Sequence, residues 1–231
     1  MSKSTTSPVI TPASVPPHPS QRFEWIDIAK GFACLLVIVG HTISPESALY
    51  RYIFSFHMPL FFILAGYTFN PKPLMSLVTS SAKRLLLPYT IVFLLWHGML
   101  ALKSGPITGQ SILSLALTYI FASGIDLETP EVVAVGMAWF LVVLFVARIL
   151  FNIAATAAQR SKKPLAALGI LSLTSLALGY SLGARLGIYL PFSFDIALVA
   201  IFFMYVGYAA KQLDLFSKIE SKWLALPISV L

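Results

Sequence analysis

Asp27, Lys30, His41 and His57 are ionisable side chains in or at the edges of the first two apolar stretches of the chain. Hydrocarbon penalises polar groups, so each of them requires a partner, an aqueous cavity or a function. Lys30 and His41 are 11 positions apart. On a helix that is about three turns, so both side chains share one face, roughly 16 Å apart along the axis. A cation at one mouth and an imidazole deep inside suit an elongated anionic ligand. Asp27 precedes Lys30 by one turn, within reach of a helical ion pair of about 0.2–0.5 kcal/mol. His57, on the next segment, falls at about the depth of His41, and the short connection makes the two helices neighbours. Two imidazoles at one level would form a proton-handling pair, because the ordinary pKa of histidine suits general-base work near neutrality.

Structural roles compete for the same residues. Lys30 can snorkel to an interface. His57, just before Met58 and Pro59, can bond a carbonyl that the proline leaves free. His41 can bridge two helices through a hydrogen bond. His97 has no companion motif and reads as structural, and Arg148 reads as a snorkelling cation. Trp25, Trp96, Trp139 and Trp223 serve most simply as interfacial anchors or packing residues.

The elements that must position these groups are membrane helices. The chain is 58% hydrophobic and 11% charged, with a mean hydropathy of +0.84. Soluble domains carry about a quarter charged residues. Six stretches are long enough to cross a bilayer, at 26–44, 52–69, 85–102, 132–154, 164–183 and 192–210, and a seventh begins at Trp223. Residues 107–125 are apolar but broken by Gly109, Gln110, Ser111, Ser114, Thr118, Ser123 and Gly124, and read as an interfacial or re-entrant element.

Charge sets the orientation. With the N-terminus in the cytoplasm, only Arg51, Lys103 and Arg185 of the 16 Lys and Arg residues fall on the far side, with Arg148 inside a span. Making 107–125 a full span would move Arg160, Lys162 and Lys163 outside. Glu46, Asp126, Glu128, Glu131 and Asp195 then lie opposite the cytoplasm. The expected architecture is an all-α polytopic bundle of six spans plus the start of a seventh. Residues 1–20, rich in Ser, Thr and Pro, read as a disordered cytoplasmic tail.

The net charge of +7 reflects basic cytoplasmic loops; zinc-finger spacing and basic helices are lacking, so nucleic acid is not an expected partner. Cys34 is the single cysteine, which excludes an intrachain disulfide and makes a metal centre unexpected.

At these residues the sequence resembles the membrane-bound acyltransferase 3 family, in its fucose 4-O-acetylase-like branch. The family opens with an Arg, an Asp, then Arg-Gly, and a His eleven residues after that second Arg. Arg22, Asp27, Lys30-Gly31 and His41 fall on this pattern, with Lys30 replacing arginine. The second-helix run, aromatic-His-Met-Pro-Leu-Phe-Phe ending in Ser-Gly-Tyr, is matched by FHMPLFFILAGY at 56–67, with Ala65 replacing serine. AWFLVVLF (138–145) and FDIALVAIFFMYVGYAAK (194–211) resemble later family segments.

The resemblance implies transfer of an acyl group, usually acetyl from acetyl-CoA, to a hydroxyl of a sugar or other small acceptor. It makes residues 21–231 a partial membrane acyltransferase domain in a bacterial-type cytoplasmic membrane. His41, aided by His57, would be catalytic, while Lys30, Asp27 and Arg22 would serve the donor. Lysine is a point charge where arginine offers a fork, so phosphate contact persists with altered geometry. The family has about ten spans, whereas the sequence given stops within a seventh. Two rival readings follow: a transporter relaying protons through its histidines, and an inactive truncated relative. No inverted repeat supports the first.

Overall fold

The computed structural model describes residues 24–103, 108–127 and 131–215. Arg22, the 1–20 segment and the stretch beginning at Trp223 lie outside the described residues. Six helices are long and apolar enough to cross a membrane. Helix α1 is Glu24–Thr42 and α2 is Ala48–Tyr67. The third span is one continuous rod: α3, Leu74–Ser81, passes through a π-helical turn, Ala82–Leu86, into α4, Leu87–Lys103. It begins well before the expected residue 85. Pro88 cannot donate to a carbonyl one turn back, and the wide turn just before it lets the helix continue. Ser76, Thr79, Ser80, Lys83 and Arg84 mask this first part in hydropathy. Thr79 and Ser80 instead donate to carbonyls of their own helix.

Helix α5, Gly109–Phe121, has 13 residues. At 1.5 Å per residue it is about 20 Å long, short of the ~30 Å hydrocarbon core, as the broken pattern of 107–125 implied. Thr108 caps its start by accepting from the Ser111 N–H at 3.2 Å. The remaining spans are α6, Trp139–Ala158, α7, Pro164–Tyr180, and α8, Phe194–Gln212. A 3-10 turn, Gly136–Ala138, leads into α6, and another, Pro191–Ser193, leads into α8.

The main core lies between α2, α6, α7 and α8, where Phe62, Val143, Phe151, Leu168 and Met204 are buried together. In lipid, apolar burial gives little drive between helices, so close approach and hydrogen bonds hold the bundle. The closest approach is α2 to α8. A Cβ on Gly66 would fall 1.9 Å from the Met204 carbonyl oxygen, and one on Gly207 would fall 1.8 Å from that of Ile63. Helix α1 is peripheral; Ile28, Phe32 and Leu35 are exposed along it, as lipid-facing positions are.

The two ends of the bundle differ in chemistry. Where α1 begins and α2 ends, Lys211 Nζ donates to Asn70 Oδ1 at 3.0 Å. There Asn152, 3% exposed on α6, clamps the loop after α2, accepting from the Lys72 N–H and donating to its carbonyl, each at 3.1 Å. Replacing a satisfied buried amide by an apolar isostere strands two backbone groups. Asn152→Leu is therefore expected to cost about 1–3 kcal/mol, read as a lowered midpoint of thermal unfolding in detergent. The opposite end, where α1 finishes and α2, α6 and α8 start, encloses a cavity.

Candidate active site

The cavity has a volume of about 810 Å³ and is lined mainly by apolar and aromatic side chains. Helix α1 contributes Cys34, Val37, Ile38 and His41, one stripe of a regular helix. Helix α2 contributes Tyr50, Phe54, His57, Met58 and Phe61. The rest of the wall comes from 121–127, the start of α6, and the entry to α8.

The structure thus places His41 and His57 in one cavity. Their surroundings differ. His57 is 2% exposed, and its Nδ1 lies 2.8 Å from the Ile53 carbonyl oxygen one turn back. A carbonyl only accepts, so Nδ1 carries a proton, and Nε2 is the nitrogen this bond leaves over. The bond anchors the ring, but not to a carbonyl that the proline leaves free. The bonded carbonyl is that of Ile53, whereas Pro59 deprives the carbonyl of Ser55.

His41 is exposed on the last turn of α1 and makes no hydrogen bond among the described residues. Its bridging role between helices is thus not seen. The ring of Phe54 stands between the two imidazoles, with centroids 5.5 Å from His41 and 4.8 Å from His57. No hydrogen bond joins the two imidazoles; they line a common space from adjacent helices. Helix α1 comes close to α2 beside this site, since a Cβ on Gly40 would lie 2.9 Å from the Phe54 ring.

Lys30 is half-buried on α1 and does not line the cavity. It stands one turn below Cys34, at the foot of the stripe that His41 ends. Asp27 is exposed one further turn toward the start of the helix. Arg22 lies outside the described residues. His97 is buried against Phe93, with centroids 4.7 Å apart, away from the cavity. Arg148 does not line it either.

Sequence reasoning missed the far wall. Asp195, at the start of α8, is buried and lines the cavity, and its Oδ1 accepts from the Leu190 N–H at 3.3 Å. The backbone leading to it is strained: Phe192 and Ser193 have φ of 60° and 47°, a region that side-chain-bearing residues seldom adopt. Ser193 Oγ pins this segment to the end of α5 by donating to the Ala122 carbonyl at 2.8 Å. Trp139 closes the wall against Gly124, where a Cβ would fall 2.8 Å from the indole. Strained backbone persists only where its surroundings over-determine it, and it concentrates at working sites. The available signal was one acidic residue opening a strongly apolar helix.

A multispan helical bundle with a histidine-bearing cavity at one end defines an integral membrane protein with a candidate catalytic pocket. A protein-family model described as an acyltransferase domain matches residues 23–231, and the chain belongs to this acyltransferase 3 family. It is also similar to nodulation protein NolL of Mesorhizobium japonicum (strain LMG 29417 / CECT 9101 / MAFF 303099), at 27% identity over 154 residues. That alignment covers 62% of this chain and 39% of the relative, so the match spans well under half of that protein. No solved structure matches the chain.

Proposed function

We propose that the protein is an integral membrane O-acyltransferase that moves acetyl from acetyl-CoA to a hydroxyl of a sugar or other small acceptor. One observation carries this reading: within an acyltransferase chain, His41 faces the cavity at the end of a helical stripe that has Lys30 at its foot. Lys30 meets the phosphates of the donor, and the stripe through Cys34 and Ile38 accepts its arm. His41 takes the proton of the acceptor hydroxyl as that oxygen attacks the thioester carbonyl carbon. The carbon–sulfur bond breaks, and the imidazolium returns its proton to the departing thiolate. The products are an O-acetyl ester and free CoA, so atoms and charge balance. His57 supports the proton movement from the neighbouring helix α2.

The test is acetyl transfer by the purified protein in detergent, from radiolabelled acetyl-CoA to a panel of hydroxyl acceptors. Lys30→Glu removes a charge-assisted contact of about 1.5–3 kcal/mol, equivalent to a roughly ten- to hundredfold loss of donor affinity. Acetyl-CoA binding by equilibrium dialysis checks this, and unchanged affinity would remove Lys30 from the donor site. A proton-coupled transporter would instead accumulate substrate in vesicles without acyl-CoA.

A further inference from the structure

Among the described residues lining the cavity, Asp195 is the sole carboxylate, and neither lysine nor arginine is present. The side chain is 4% exposed. Its Oδ1 is occupied by the Leu190 N–H at 3.3 Å, while no donor among the described residues bonds Oδ2. That second oxygen sits beside Gly183, where a Cβ would come within 3.3 Å. The first turn of α8 offers a favourable dipole, yet a buried carboxylate without a cation remains costly. Its position is nevertheless fixed by the left-handed backbone of Phe192 and Ser193 and by the bond from Ser193 to the end of α5.

A carboxylate with a spare oxygen is an acceptor for hydroxyl protons. In a weakly screened cavity lacking fixed cations, it also repels a second negative charge. Trp139 and Tyr50 line the same space. We propose that Asp195 selects the acceptor, its carboxylate accepting hydrogen bonds from an uncharged polyol and turning away anionic acceptors such as uronates. This rests on the acyltransferase reading and adds to it a specificity-determining residue in the cavity that the histidines also line.

Asp195→Asn keeps an oxygen for the Leu190 N–H and so preserves the structural bond while removing the charge. The full chain in detergent would be assayed with neutral methyl hexosides and the matching methyl hexuronides. For the native protein, kcat/KM is expected to favour the hexosides by at least about tenfold. In Asp195→Asn the hexoside KM should rise about tenfold with kcat little changed, and the preference over hexuronides should shrink to about threefold or less. Binding of a radiolabelled hexoside without acetyl-CoA supplies a readout free of turnover. Asp195-dependent hexoside binding without any acetyl transfer would keep the acceptor site and sink the acyltransferase reading. Acetyl transfer with hexoside KM and selectivity unmoved by Asp195→Asn would overturn the role of Asp195 alone. Absence of hexoside binding and of hexoside transfer would overturn it as well.

Discussion

Acetyl transfer by His41→Ala is expected to fall by about 10²–10⁴-fold, the range for loss of a general base, with membrane insertion and the elution profile unchanged. The imidazole is exposed at the last turn of α1 and makes no hydrogen bond among the described residues. Its removal therefore strands no buried polar group and opens no core cavity. The loss should appear in kcat, with donor affinity close to native, because Lys30 stands three turns away on the same helix. His57→Ala differs in kind. It removes a buried ring bonded to Ile53 at 2.8 Å, so its effect mixes chemistry with local packing. Retained turnover in a well-folded His41→Ala protein would end the assignment of this imidazole.

Gly207→Val is expected to abolish the folded bundle. The added carbon would meet the Ile63 carbonyl oxygen at 1.8 Å and the Tyr67 amide nitrogen at 2.8 Å, both backbone atoms that no rotamer change can move. Helices α2 and α8 would have to separate, and with them the buried contacts of Phe62 and Met204. The penalty belongs to the exceptional end of single substitutions, above about 4 kcal/mol. Size-exclusion chromatography of detergent extracts should show aggregate in place of a monodisperse peak. Gly98→Ala is the control, because nothing lies within 4 Å of the carbon it would add. That variant should elute as native, changing stability by no more than about 1 kcal/mol.

These two residues also show where sequence reading succeeds and where it stops. The 11-residue spacing of Lys30 and His41 needs only the regularity of one helix, and α1 is regular throughout. The shared level of His41 and His57 needs only a short link between antiparallel neighbours. Gly207 lies within the 194–211 run, but its close approach to the Ile63 backbone joins helices far apart in the chain, which no local period encodes. The Phe54 ring between the histidines is likewise a matter of packing. In the sequence Asp195 reads only as an acid opposite the cytoplasm; the convergence of 121–127 and 189–196 with α1 and α2 around one cavity is what makes it a lining residue. The first half of the third span was hidden by its hydroxyls and cations, which the helix satisfies internally.

A thioester donor stretched between Lys30 and His41 must cover Cys34, which lies between them, lines the cavity, and is exposed as the single cysteine of the chain. Maleimide alkylation of Cys34 in the purified protein, followed by mass spectrometry with and without acetyl-CoA, measures that coverage directly. Acetyl-CoA is expected to slow the alkylation in the native protein and to leave the rate in Lys30→Glu unchanged at the same concentration. Equal rates with and without acetyl-CoA in native protein that still binds the donor would place the thioester elsewhere and contradict the site.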